Sequence, residues 1–318
     1  MKFPNVPFSL ATIRNQEQLQ VGLIVGGRIW EINTALNVER SRIQTIFDLL
    51  ADWNHWFSMI SKAVDTLPDQ SLMDLDSVEI LAPVPVPGKM INAGLNFYDH
   101  AKEMGLSIQD DFQPNFFWKG TAGCVIGPSQ KIELSSDLVD WEAELAVIIG
   151  RTAKNVRKKE IMNYVAGFTC HNDVTDRGLM MMPDGRLDFL GGKSRDTFGP
   201  LGPVLVPAEF VKNLDSLKIR CLLNDEVMQD FSTSQMVWDP GRILSHLTYI
   251  MTLHPGDIVA LGTGAGVGWA RGISVGPGEM GRIVEHMRSG GGTFLRPGDK
   301  IAVDIPGVGY LENEVEDQ

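Results

Sequence analysis

Glu142 and Glu144 stand two residues apart at the head of an apolar run, Leu145-Ala146-Val147-Ile148-Ile149. Side chains on a strand alternate between faces, so both carboxylates project the same way, a few ångströms apart. Like charges side by side repel, and beside an apolar run they also lose hydration. A divalent cation removes both penalties, and a hard ion such as Mg²⁺ or Ca²⁺ takes oxygen ligands of this kind. Taken alone, a Glu-x-Glu more often lies on a solvated face. Asp173, at the end of the apolar run Val165–Asn172, is a candidate third oxygen ligand. Upstream, His100 and Glu103 fall at i and i+3 if residues 98–104 are helical, close enough to interact. A carboxylate beside an imidazole raises its basicity and fixes its tautomer, which suits a general base. Alone, this pair too is more often an ordinary surface contact.

The elements that must position these residues are mostly strands. Residues 8–13, 20–25 and 28–32 read as short strands, the last two joined through Gly26-Gly27, a hairpin signal. From Ser41 to about Val64 the apolar residues follow helical spacing. Pro83, Pro85 and Pro87 alternate in an extended connector, which sets a boundary between a small α+β unit, residues 1–85, and a larger unit, residues 86–318. The larger unit shows strand runs at 89–93, 124–126, 145–149, 165–172, 217–224, 226–231, 258–261 and 301–305. One helix opens at Asp239-Pro240 and runs to about Leu253. Strands outnumber crossover helices, so a strand-rich α+β fold with a mixed or antiparallel β roll is expected. Gly276-Pro277-Gly278-Glu279-Met280-Gly281 matches the dinucleotide glycine pattern, but no full strand precedes it and Gly290-Gly291-Gly292 interrupts any long helix after it. Residues 262–292 hold eleven glycines, so chance matches are expected, and the stretch reads as a long loop.

The chain has 318 residues and a net charge of −12, with 28 basic against 40 acidic residues. That balance argues against nucleic acid or an anionic membrane as the main partner. Cys124, Cys170 and Cys221 are odd in number and widely spaced, which predicts buried free thiols in a reducing compartment. No signal-like apolar stretch follows Met1 and no run is long enough to span a bilayer, so a cytoplasmic protein is expected.

Several motifs together resemble the fumarylacetoacetate hydrolase superfamily. They are Gly94-Leu-Asn-Phe-Tyr-Asp-His100-Ala-Lys-Glu103, Trp141-Glu142-Ala-Glu144 running to Gly150, and Ala166 to Asp173. Gly192-Lys193-Ser194 with Gly199 to Pro203, Leu223 to Gln229, and Leu253-His-Pro-Gly-Asp257 complete the set, and the likeness covers about residues 89–318. The resemblance implies a β-sandwich roll, preceded by the small N-terminal domain some members carry. It implies Glu142, Glu144 and Asp173 as ligands of Mg²⁺ or Mn²⁺, with Ca²⁺ an alternative. It implies His100 and Glu103 as the dyad that activates water, Lys193 as a catalytic lysine at the substrate oxygens, and Arg177, Lys119 and Thr263 as substrate contacts. A homodimer is also implied.

Two departures from the family pattern stand out. Met180 occupies the position of a glutamine that serves relatives as an oxyanion donor, and a thioether cannot donate a hydrogen bond. The pocket is therefore expected to be more apolar, with oxyanion stabilisation left to Lys193, the metal or backbone amides. An insertion of roughly 20–25 residues precedes Leu295, longer than ordinary connections, and suggests a lid or a dimer contact. The function expected first is metal-dependent hydrolysis of a carbon–carbon bond in an acylpyruvate-like catabolic intermediate. Decarboxylation, isomerisation or hydration of a small 2-oxo acid is the alternative on the same scaffold, and a non-catalytic metal- and dicarboxylate-binding relative is a third reading.

Overall fold

The run that follows Glu144 becomes the strand Ala143–Ile149, buried along its whole length. The structure, a computed structural model, describes residues 2–318 except 16, 69–71, 110, 183 and 185. Leu145, Val147 and Ile149 pack into one apolar cluster, and Ala146 and Ile148 into another. A strand covered on both faces needs a continuous apolar sequence, which is why this run is uninterrupted. Val165–Asn172 is a strand of the same kind and pairs with it antiparallel.

These two strands lie inside one mixed sheet. In spatial order it runs Leu72–Met73, Arg28–Glu31, Gln18–Val25, Ser9–Asn15, Gly199–Pro207, Val165–Asn172, Ala143–Ile149, Ile258–Ala260, Met90–Gly94 and Asn115–Trp118. Only the pair Ile258–Ala260 and Met90–Gly94 is parallel along this path. A second sheet, Glu226–Ser232, Lys218–Leu223, Lys300–Ile305, Gly309–Asp317 and Ile132–Leu134, covers one face of the first. Ile219, Cys221, Ile301 and Val303 meet Leu145, Val147 and Phe168 in the core between them. The molecule is thus the strand-rich α+β roll expected. The three cysteines are buried and free. Among the described residues no helix is long and apolar enough to cross a membrane.

The N-terminal residues form the hairpin Gln18–Val25 to Arg28–Glu31, turned at Gly26 and Gly27 with φ of 56° and 77°. Both angles lie in the left-handed region that a tight hairpin turn requires. The helical stretch expected over residues 41–64 is shorter and split, into Ile46–Ala51 and Trp53–Ala63. A capping box between Thr45 and Asp48 delays its start, and Asp52, at φ −139° and ψ 59°, interrupts it. Leu10 pairs with Leu205, so the hairpin sheet continues into the main sheet. Phe8, Leu49 and Trp53 share one apolar cluster with Ala146, Ile148, Leu205 and Ile258.

Two stretches differ from the sequence reading. Gly199–Pro207 is a central strand although it contains three prolines; its pairing with Val165–Asn172 shifts register between Phe168 and Cys170, and the irregularity absorbs Pro203. The glycine-rich stretch is also more than a loop, because Met280–Arg288 is a nine-residue helix. Met280, Ile283, Val284 and Met287 form one helical face and join an apolar cluster with Met104, Met180 and Trp269.

Candidate active site

Strand pairing assembles the carboxylates. The register sets Ala143 opposite Asn172 and Glu144 opposite His171, and the Asp173 N–H donates to the Glu142 carbonyl at 2.9 Å. One oxygen from each of Glu142, Glu144 and Asp173 lies within 4.8 Å of the others, and all three residues are buried. Asn172 Oδ1 accepts the Glu142 N–H at 3.1 Å and fixes the point where Glu142 leaves the ladder.

Three buried cations face this cluster. Lys193 Nζ donates to Asp173 Oδ2 at 2.7 Å and Thr175 Oγ1 at 2.9 Å, and lies 3.0 Å from Glu142 Oε2. Lys119 Nζ donates to the other Asp173 oxygen and to the carbonyls of Val174 and Lys193. Arg177 divides its guanidinium, with Nε to Asp140 Oδ1 and Nη2 to Glu142 Oε1, both at 2.7 Å. Its guanidinium carbon lies over the Trp269 ring, and the backbone N–H of Trp269 donates to the second Asp140 oxygen. Asp140, Glu142, Glu144 and Asp173 thus face Lys119, Arg177 and Lys193, and negative charge is in excess by one.

The excess falls on Glu144. Burial raises every carboxyl here, but Lys119 and Lys193 hold Asp173 below the usual range, and Lys193 and Arg177 hold Glu142 down. Glu144 accepts the Gly262 N–H at 2.9 Å and makes no ion pair among the described residues. Burial, then the charges of Asp173 and Glu142, push its carboxyl well above the usual range. Burial likewise takes Asp140 up to about 6 against the pull of Arg177. The neighbouring His171 is pushed down to about 4 by burial and is neutral at pH 7; its Nδ1–H donates to the Pro200 carbonyl at 2.8 Å.

His100 stands with Glu142 in the lining of one cleft. It lies on the helix Tyr98–Glu103, and its Nδ1 is 3.1 Å from Glu103 Oε2. The other Glu103 oxygen accepts the Gly266 N–H at 2.7 Å, so the glycine-rich segment holds the dyad from behind. With Nδ1 protonated toward Glu103, Nε2 carries the free lone pair.

The structure gathers the expected residues in one place, though two have other tasks than expected. His100, Glu142, Arg177, Lys193 and Thr263 line the cleft. Lys119 does not: it is 3% exposed, and its three donors are all taken by Asp173 and the two carbonyls. It buttresses Asp173 instead of reaching a substrate. The Thr263 hydroxyl donates to the Ala143 carbonyl and accepts from Gln229 Nε2, both at 2.9 Å, so it pins the strand head. Arg177, expected at the substrate, is held by Asp140 and Glu142. Asp140 was missed, although it continues the alternation of Glu142 and Glu144 by one more step. Met180 lies 3.9 Å from Arg177 Nη1 through its sulfur and lines the cleft.

A buried, all-oxygen donor set with surplus negative charge fits a hard divalent cation such as Mg²⁺ or Mn²⁺. Fold and site together define a class: a β roll with a carboxylate triad at the head of its central strands and a histidine–glutamate pair at the same cleft. The chain belongs to the fumarylacetoacetate hydrolase family, and residues 89–316 match the domain described as fumarylacetoacetate (FAA) hydrolase C-terminal. It is 34% identical over 293 residues to the mitochondrial oxaloacetate tautomerase FAHD2A of Bos taurus, covering 91% of this chain and 84% of that one. The fumarylacetoacetate hydrolase EaFAH of Exiguobacterium antarcticum superposes with a TM-score of 0.76 at 27% identity, covering 98% of this chain and 100% of that one. The maleylpyruvate hydrolase of Sphingobium sp. SYK-6, in complex with manganese(II) and pyruvate, gives 0.73 at 26% identity, covering 97% and 99%.

Proposed function

We propose that this protein is a divalent-metal-dependent hydrolase that cleaves a carbon–carbon bond in an acylpyruvate-like 2,4-dioxo acid. The observation that carries the reading is the placement of the His100–Glu103 pair at one cleft with Glu142. Glu142, Glu144 and Asp173 would hold the cation, which supplies Lewis-acid polarisation of the 2-oxo acid oxygens. His100 Nε2 takes a proton from water, and Glu103 stabilises the imidazolium through Nδ1–H. The hydroxide adds to the distal carbonyl carbon, the bond between that carbon and C3 breaks, and C3 regains a proton. The products are pyruvate and a carboxylic acid. Lys193 and Arg177 keep Glu142 and Asp173 ionised and fixed.

A second reading is interconversion of the keto and enol forms of oxaloacetate. It is favoured by the bovine relative's name, and by the fact that moving a proton at C3 also needs a base beside the cation. The test follows the enol absorbance of acylpyruvates and of oxaloacetate, with Mg²⁺ or Mn²⁺ and after chelation. Hydrolysis predicts metal-dependent loss of acylpyruvate, reduced about 10²–10⁴-fold in His100→Gln. Turnover of oxaloacetate alone would move the assignment to the tautomerase, and silence on every substrate would favour a binding protein.

A further inference from the structure

Beyond its polar floor the cleft is walled by Met104, Leu106, Met180, Phe189, Trp269 and Met280. Trp269 and Met280 come from the glycine-rich segment, whose Gly262 and Gly266 N–H groups hold Glu144 and Glu103. That segment is tied to the dyad's own side of the cleft. Gly278 N–H donates to the Gly105 carbonyl at 2.8 Å, just past the helix that carries His100. Gly105 has φ 66°, and a Cβ there would stand 2.5 Å from the Gly276 carbonyl oxygen, so the two backbones touch. Ile283 and Met287 anchor the helix Met280–Arg288 from beneath, so Met280 at its first turn is held against the cleft.

Charge is confined to the floor. Among the described residues lining the cleft the permanent cations are Arg177 and Lys193, and both are engaged by Asp140, Glu142, Asp173 and Thr175. A second carboxylate at the far end of a substrate would meet thioethers and rings that cannot replace its water. A hydrocarbon chain there gains burial instead, and methionine, unbranched and polarisable, moulds to chains of different shape.

We propose that this wall selects 2-oxo acids whose distal group is apolar and uncharged, with Met280 as a specificity-determining residue. The inference rests on the reading of the polar floor as a 2-oxo acid site. It is tested by binding rather than turnover. Pyruvate, 2-oxohexanoate, 2-oxooctanoate and 2-oxoglutarate are titrated calorimetrically into the Mn²⁺-loaded protein. Affinity should rise about fourfold per methylene that reaches the wall, and 2-oxoglutarate should bind no better than pyruvate. Met280→Ala should weaken 2-oxooctanoate about tenfold more than it weakens pyruvate. Met280→Lys should abolish the chain-length gain and improve 2-oxoglutarate at least tenfold. Affinity independent of chain length, or tight 2-oxoglutarate binding to the unsubstituted protein, would overturn the proposal while leaving the floor intact. If pyruvate itself does not bind, the reading of the floor falls and the proposal with it.

Discussion

Lys119 and Glu144 occupy opposite ends of one electrostatic arrangement. Lys119 gives all its donors to Asp173 and two carbonyls, so removing it leaves Asp173 Oδ1 buried without its cation. Lys119→Met should destabilise the protein by about 3–5 kcal/mol, read from the denaturation midpoint in urea. Glu144 is the carboxylate in excess, repelled by Asp173 and Glu142. Glu144→Gln should therefore raise the melting temperature of metal-free protein, yet abolish the further rise that Mn²⁺ produces in the unsubstituted chain. A loss of stability in the metal-free variant would contradict the surplus-charge picture. At this scale the sequence was informative where ligands cluster locally, as in Glu142-x-Glu144 and His100-x-x-Glu103. It was silent on which cation meets which carboxylate, since Lys119 and Asp173 lie 54 residues apart and pair only through the fold.

Strands buried on both faces were the easiest elements to read, because Leu145–Ile149 is wholly apolar and Val165–Asn172 carries only Thr169 before the site begins. Gly199–Pro207 escaped because prolines and glycines contradict strand propensity, and only the irregular register makes room for them. Met280–Arg288 escaped for the opposite reason: its apolar residues keep helical spacing, but flanking glycines hid it. One small element offers a pH test. Glu31 caps the helix Ile32–Ala35, accepting from the Asn33 and Thr34 N–H groups. Partial burial raises its carboxyl, but these hydrogen bonds outweigh burial and hold it below its ordinary 4.5. A depressed folded value means stability that is present above the unfolded value and lost as pH falls through the folded one. Glu31→Gln should cost about 0.5–1 kcal/mol at pH 7, discounted for partial exposure, and the difference should shrink below the ordinary 4.5.

At the scale of the whole molecule, one sheet runs from the N-terminal hairpin through the strands that carry the triad, so cation binding should stabilise the entire chain. Saturation with Mn²⁺ at 100 times its dissociation constant should add about 2.7 kcal/mol, and chelation should reverse it. We propose a homodimer as the working unit: Trp118, on the edge strand Asn115–Trp118, and Leu190 are 51% and 72% exposed, which leaves an apolar edge to cover. Light scattering should then give twice the chain mass of 35.1 kDa, and a monomeric value at micromolar concentration would contradict it. The central claim is bond cleavage, and proton NMR of an acylpyruvate incubated with the Mg²⁺-loaded protein in D₂O reads it directly. Hydrolysis predicts pyruvate and the free carboxylic acid appearing together in equal amounts. A carbon skeleton that stays whole, with no pyruvate formed beyond the protein-free control, would contradict it.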